Sequence, residues 1–517
     1  MTADHGRSAG RREWIGLAVI ALPCLLYSMD LTVLNLAVPH LTEDLEPTSA
    51  QLLWIVDIYG FLVAGSLITM GTLGDRIGRR RLLMIGAIVF GIGSLLAAFS
   101  RSAEMLIAAR ALLGVAGATI APSTLSLIRN MFHDPGQRTL AIGVWGTSYA
   151  AGGAIGPLLG GVLLEYFSWG AVFLLAVPVM VLLLALGPVL LPEYRDPQAG
   201  RLDIASAALS LVAVLAAIYG LKKTAESGPS WLPALAVVAG LALGAVFVRR
   251  QRTLTDPLID LRLFRSRAFS TALAVNMVGT FVVFGSFLYT AQYFQLVLGL
   301  SPLRAGLWML PSSGAVILGS MLAPAIVRRF PPASVIATGL VLVAAGFVVL
   351  TRVHDDSLAV LVIGSMVLSV GLGPVFVLTT DLILGAAPPE RAGAASAISE
   401  TGSEFGGALG IAVLGSIGTA VYRARMGDAL PSGIPAAATA AARQTLGSAV
   451  AAAGQLPAQL GAALRAAARD AFLQSFEVMA TVGAIIAIGM AVLAWVMLRR
   501  VRSHAPTAPQ PDAVAAS

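Results

Sequence analysis

Five carboxylates fall inside stretches that are otherwise apolar: Asp30, Asp57, Asp381, Glu400 and Glu404. A single basic residue, Arg110, shares that setting. A carboxylate at the centre of a bilayer costs about 2.5–3.5 kcal/mol on insertion scales, so a residue that bears the cost marks function by default. One arginine neutralises one or two acids, and the others must be protonated, hydrated or matched by a positive ligand. The chemistry open to this set is proton carriage and attraction of cations. Glu400 and Glu404 stand i,i+4 and share a helix face. The bland reading is strongest for Asp381, which lies close to the end of its apolar stretch and reads equally well as a residue at the water interface.

Two further constellations stand out. Gly71-Thr-Leu-Gly-Asp75-Arg76-Ile-Gly78-Arg79-Arg80-Arg81 places one acid among four arginines in a loop squeezed between two apolar runs. Asp75 there can accept hydrogen bonds from a neighbouring arginine and from exposed helix-end amides of another segment, which makes a latch. The arginines by themselves fix orientation in the membrane. Gly152-Gly-Ala-Ile-Gly156-Pro157-Leu-Leu-Gly160-Gly161 strips one helix face to glycine and so permits close helix crossing in lipid. Pro157 removes an intrahelical hydrogen bond and bends the helix. Trp54, Tyr59, Trp145, Tyr149, Tyr289 and Phe294 can line a cavity and meet a cation by cation–π contact, although anchoring at the bilayer interface is the commoner use of such rings. The five histidines all fall in segments read as loops or tails and receive no role.

The elements that must position these residues are transmembrane helices. The chain has 517 residues, of which 57% are hydrophobic and 12% charged, with a mean hydropathy of +0.84. No soluble fold covers so much apolar surface. Stretches long enough to span at ~20 residues each lie near 14–38, 51–72, 82–99, 104–128, 138–163, 168–191, 203–221, 231–248, 268–295, 305–327, 334–351, 358–386, 394–421 and 473–498. Short alternating segments of a β-barrel are lacking. The expected fold is an all-α integral membrane protein with 14 transmembrane helices. The first span is too long for a signal peptide, carries Asp30, and has no small-residue cleavage site before a soluble domain. The lone Cys24 is intramembrane, so disulfides play no part.

Charge sets the orientation. With the N-terminus inside, inner loops and termini hold 23 of the 34 Lys+Arg, the short outer loops five, the long segment 422–472 five, and Arg110 is intramembrane. That asymmetry is the positive-inside rule, so the pI near 9.9 reports topology and not nucleic-acid binding. On this orientation Asp30, Asp57 and Arg110 sit in the outer halves of their spans, and Asp381 near the inner end of its own. All but Lys222 and Lys223 of the basic residues are arginine; with the abundant Ala and Gly this reads as the mark of a GC-rich bacterial genome.

The chain also repeats itself. A shift of 254 brings Gly117 onto Gly371, Gly152-Gly153 onto Gly406-Gly407, Gly156 onto Gly410 and Gly161 onto Gly415. The 71–81 loop has a worn echo ending in Arg328-Arg329. Two homologous six-helix bundles follow, residues 1–194 and 251–517, with spans 7 and 8 inserted at 195–250, an architecture suited to alternating access. By the same shift Glu400 and Glu404 replace Gly146 and Ala150, so their face meets the bundle interior. Residues 249–267 read as an amphipathic inner helix, 422–472 as an outer segment with two short helices around Leu446, Leu460 and Leu464, and the tail after Arg502 as disordered.

The 71–81 loop resembles the signature loop between spans 2 and 3 of the major facilitator superfamily. The Gly152–Gly161 run resembles that superfamily's antiporter motif, found in exporters. Met29-Asp30-Leu-Thr32-Val-Leu-Asn35-Leu-Ala-Val-Pro39 resembles the first-span motif of the fourteen-span drug:proton antiporters. Gln51-Leu-Leu-Trp54-Ile-Val-Asp57-Ile-Tyr59 is similar to the SmvA/QacA-type methyl viologen and quaternary ammonium exporters, and Arg110 to the family's span-4 arginine. Gly170 and Pro324 depart from the pattern, replacing an arginine and an acid. The resemblance implies a gating role for Gly71, Asp75, Arg76, Gly78, Arg79 and Arg80, and proton or substrate roles for Asp30, Asp57, Arg110, Asp381, Glu400 and Glu404.

No phosphate-binding loop is present, since the only lysine before Ser/Thr is Lys223, preceded by Lys222. No nucleophile–His pair or metal cluster supports enzymatic chemistry. The expectation is a monomeric, cofactor-free antiporter of a bacterial cytoplasmic membrane. Driven by the proton-motive force, it exports small lipophilic cations and binds no nucleic acid. The competing readings are export of an endogenous antibiotic or metabolite, a nutrient symporter, and a non-transporting membrane sensor or scaffold.

Overall fold

The computed structural model describes residues 9–47, 49–195, 203–227, 230–255, 257–354, 357–388, 391–430 and 433–499. The tail after Arg502 lies outside them. Among the described residues, fourteen helical segments are long and apolar enough to cross a bilayer. The first half comprises α1 (Arg11–Leu45), α2 (Ser49–Ile77), α3 (Arg79–Ala98), α4 (Ala103–Gly117), α5 (Ile120–Met131), α6 (Pro135–Tyr166), α7 (Ala171–Leu174) and α8 (Ala176–Leu190). Span 4 is α4 and α5 in sequence, interrupted at Thr119, whose hydroxyl donates to the Ala116 carbonyl. Span 6 is α7 and α8. The inserted spans are α9 (Ile204–Ser227) and α10 (Trp231–Gln251).

The second half comprises α11 (Arg267–Gln292), α12 (Pro302–Val327), α13 (Pro332–Leu350), α14 (Leu358–Ala386), α15 (Ala392–Ala429), the short α16 (Ala436–Ala442) and α17 (Leu446–Ala453), and α18 (Ala458–Leu498). Local chemistry starts several of these helices. Asp134 accepts from the Gln137 N–H at 2.8 Å with Pro135 in the first turn, and Ser102 accepts from Met105 at 3.2 Å. Each such cap satisfies an amide that the helix leaves unpaired.

Each half has its own core. One gathers residues such as Leu17, Ile20, Tyr59, Leu83, Leu113 and Phe132; the other gathers Tyr293, Phe347, Leu414, Phe472 and Phe476. The repeat is visible in the packing: α1 lies along α6 as α11 lies along α15. Gly152 of α6 approaches the Leu25 carbonyl, and Gly406 of α15 approaches the Met277 carbonyl, each too closely for a Cβ. Large apolar side chains such as Ile88, Val181, Val238, Leu241, Ile488 and Val492 point outward, as expected where lipid replaces water.

Three expectations need correction. Residues 249–267 are not an amphipathic helix: α10 ends at Gln251, and only a three-residue 3-10 turn, Leu263–Arg265, follows before α11. Pro257 cannot donate within a helix. The Gln251 amide oxygen accepts from the Leu258 N–H at 2.7 Å, and Asp260 pairs with Arg391 at 3.1 Å, which holds the connection folded. In the 422–472 segment two short helices form, but Leu460 and Leu464 belong to long α18, which starts after Pro457 well before its apolar stretch. His40, read as a loop residue, lies within α1.

Candidate functional site

The 71–81 segment is not a free loop but the junction of α2 and α3, with Gly78 between them at φ +111°, a conformation other residues rarely adopt. Asp75 and Arg79 are buried and paired. Arg79 Nη1 donates to the Gly71 carbonyl at 2.9 Å. Asp75 Oδ2 accepts from the backbone N–H of Ala394 at 3.2 Å, in the first turn of α15 across the molecule. Gly71 lies against Gly393 and Ala397 there, with no room for a Cβ. Arg80 turns the other way, donating to the Pro188 and Leu191 carbonyls at 3.0 and 3.1 Å, while the Glu193 carboxylate accepts from the Arg80 and Arg81 amides.

Two more contacts close the same end of the bundle. Arg138 Nε donates to Asp381 Oδ1 at 2.7 Å and the Thr139 hydroxyl to Oδ2 at 3.2 Å, joining α6 to α14. Arg129 Nη2 donates to the Ala387 carbonyl at 2.8 Å. The two halves are therefore clasped at the end that carries the arginine-rich junction.

The remaining acids lie deeper. Arg110, 1% exposed, donates to Asp30 Oδ2 at 3.2 Å and stands 5.1 Å from the centre of the Tyr59 ring. A chain of aromatics runs from there: Tyr59 to Tyr27 at 6.0 Å, Tyr27 to Tyr149 at 5.5 Å, and Tyr149 to Trp145 at 4.7 Å between ring centres. The Trp145 indole donates to Thr124 at 3.0 Å. Tyr27 carries the network into the other half by donating to Glu404 Oε1 at 3.3 Å. Glu400 is half-buried one turn earlier and makes no hydrogen bond or ion pair of its own among the described residues. A small cavity opens beside Asp30, lined also by Val33, Phe90, Ser94, Val172 and Phe173.

Asp57 has a partner that the sequence reading did not assign. Lys222 Nζ lies 2.8 Å from Asp57 Oδ1 and 4.8 Å from the centre of the Phe61 ring. The reading of Arg110 as the only intramembrane base is thus overturned. The apolar stretch of span 7 ends at Leu221, but its helix continues to Ser227, which places Lys222 inside a span and within reach of α2.

The predicted aromatics divide. Tyr59, Trp145 and Tyr149 lie in the interior network. Tyr289 packs instead in the second core against Phe472 and Phe476, at 5.8 and 6.0 Å, and Phe294 is buried in that core. Trp54 is 46% exposed, edge-on to Phe61 at 6.3 Å. Sequence reasoning also missed Tyr27, Arg138 and Glu193. Tyr27 stands three residues before Asp30 on the same helix face, and that spacing was the available signal. In the glycine run, Gly152 and Gly160 pack on α1 at Leu25 and Val33, while Gly161 faces open space. The helix continues through residues 156 and 157.

Two six-span halves clasped at one end around buried acids define a membrane transporter, not an enzyme. The Major Facilitator Superfamily model matches residues 20–411, and the chain belongs to that superfamily. It is 45% identical over 424 residues to the multidrug efflux pump LfrA of Mycolicibacterium smegmatis, covering 82% of this chain and 84% of that protein. It is 37% identical over 429 residues to the methyl viologen resistance protein SmvA of Salmonella typhimurium, covering 82% and 86%. Among solved structures, the human organic anion transporter MFSD10 superposes with a TM-score of 0.60 at 16% identity, over 92% of this chain and 99% of that one. The last likeness concerns fold alone.

Proposed function

We propose that this chain is a monomeric antiporter of a bacterial cytoplasmic membrane that exports lipophilic cations, quaternary ammonium compounds and methyl viologen among them, in exchange for protons. The observation that carries the reading is the Asp30–Arg110 pair, buried 3.2 Å apart in a network that crosses to Glu404 through Tyr27. A proton on Asp30 removes the charge that Arg110 answers, so protonation is linked to the side-chain bridge that joins α1 to α4. The aromatic chain and the Glu400–Glu404 face offer a cation both π surfaces and carboxylates. Relatives named for multidrug efflux and methyl viologen resistance support the same substrate class.

Alternating access then works as follows. With the inner clasp closed, the interior opens outward, cation leaves and protons reach the acids. Neutralised acids let the outer side close, the clasp at Asp75 releases, and protons leave inward as a new cation binds. One proton in per monocation out is electroneutral and uses only the pH gradient. Drawing on the potential, about 2.3 kcal/mol per charge per 100 mV, takes a second proton and a second titrating carboxylate.

Inverted vesicles test the reading. Uptake of a cationic dye should require an inward-acid gradient and collapse with a protonophore. Gradient-driven uptake of a neutral antibiotic but no cation would replace this substrate class with the endogenous-antibiotic reading. Cation uptake indifferent to the protonophore would remove the proton coupling.

A further inference from the structure

Helix α9 belongs to neither six-span half, yet it packs against α2 of one and α15 of the other. Its Ile218 and Leu221 are buried with Phe61 and Ala64 of α2 and with Ala408 and Ala412 of α15. Directly after Leu221 it delivers Lys222 to Asp57 at 2.8 Å, with the ammonium 4.8 Å from the Phe61 ring centre. A carboxylate on one side and an aromatic face on the other is the environment that recognises an organic ammonium ion. Here the chain fills that environment itself. Neither group is sealed off, the side chains being 34% and 22% exposed. The pair can therefore part without opening the packed protein interior, unlike Arg110, which is 1% exposed.

We propose that Asp57 and Phe61 form an organic-cation site for which Lys222, carried by the inserted helix, is the resident competitor: a monocationic substrate binds there by displacing the lysine ammonium toward the outer water. This rests on the cation-export reading above. The inserted helix is then a specificity device. It sets how strongly positive a ligand's interaction must be before the site exchanges its own amine for cargo. Substrate release outward is completed when Lys222 returns to Asp57, so the site is never left as a bare carboxylate facing the exit.

The full chain in nanodiscs and tetraphenylphosphonium as probe test this by equilibrium binding. Lys222→Met removes the competitor and is expected to tighten probe binding about fivefold or more; Lys222→Arg, which keeps a cation, should bind near the wild-type level. In an Asp57→Asn background Lys222→Met should change nothing further. Unchanged or weakened binding in Lys222→Met overturns the proposal, as does an effect that survives Asp57→Asn.

A second measurement needs no variant. Lys222 and Lys223 are the only lysines in the chain, so reductive methylation read by mass spectrometry reports on Lys222 directly. Saturating probe should speed its modification at least threefold; equal or slower modification overturns the displacement. Failure of every form to bind the probe would sink the cation-export reading and this site with it. Probe binding that ignores Lys222 sinks the competitor alone.

Discussion

Asp75 of α2 accepts a hydrogen bond from the backbone N–H of Ala394, 3.2 Å away in the first turn of α15. That turn leaves amides unpaired and carries the positive end of the helix dipole. One carboxylate in one half thus answers a helix start in the other, while Arg79 pairs with it from the same side. The inner closure hangs on a charge meeting backbone, which makes it reversible by a rigid-body shift without any change of protonation.

Asp75→Asn should insert and bind substrate within about twofold of wild type, because no cavity residue changes. A hydrogen bond to a charged group is worth roughly 1.5–3 kcal/mol, so the closed state should lose roughly 10- to 100-fold in population and efflux should collapse. Dye efflux and dye binding, measured on the same preparation, check this. Efflux at the wild-type rate would show that Asp75 is no latch.

The Arg138–Asp381 pair is a second clasp at the same end. Its side chains are 18% and 17% exposed, against 1% and 8% for Arg79 and Asp75, so each single neutralisation strands its partner in a less buried setting and should slow transport less than Asp75→Asn does. Exchanging the two, Arg138→Asp with Asp381→Arg, should recover part of the loss. Single variants that transport normally would reduce the pair to a surface contact.

Asp30→Asn and Asp57→Asn should each cut proton-driven efflux more than tenfold, the first because an amide carries no proton and the second because it removes the carboxylate that the cation pairs with. Glu404→Gln should weaken cationic substrates more than neutral ones, and Glu404→Asp should keep part of the activity. A cationic dye exported at the wild-type rate by all three neutral variants, at matched expression, would falsify the mechanism.

Orientation is tested by single cysteines in a Cys24→Ser background. Gln444→Cys, exposed between α16 and α17, should react with an impermeant maleimide on intact cells. Ser503→Cys, in the carboxy-terminal tail, should react only after the membrane is opened. Equal labelling of the two on intact cells would overturn the topology.

Asp203, just before α9, accepts from Arg250 at 2.8 and 3.1 Å and from Ser206 at 2.6 Å, tying the inner ends of the inserted helices. Those hydrogen bonds, from Arg250 first, hold its carboxyl well below the ordinary carboxylate range. A lowered folded value means the stabilisation is present above about pH 4, the unfolded value, and is lost as pH falls further through the folded one. Thermal unfolding of Asp203→Asn should come earlier than wild type at pH 7, with the gap narrowing only below about pH 4. A gap independent of pH would mean the carboxylate charge is not what matters.

The sequence alone determined the spans, because hydropathy over ~20 residues is a local property that lipid reads directly. It determined the paired halves, because the glycines that let α6 and α15 lie close on α1 and α11 recur at a fixed offset. It also offered Asp75 two kinds of partner, a neighbouring arginine and the exposed amides of a helix end in another segment, without saying which residues these are. Only the tertiary structure decided which groups meet. Tyr27 and Glu404 are 377 residues apart, Arg138 and Asp381 243, and Lys222 and Asp57 165, and no local spacing encodes such distances. Lys222 misled for a physical reason. Its charge ends the apolar run at Leu221, so hydropathy closes the span there, yet the helix continues and a long flexible amine reaches back to a carboxylate that packing alone brings within range.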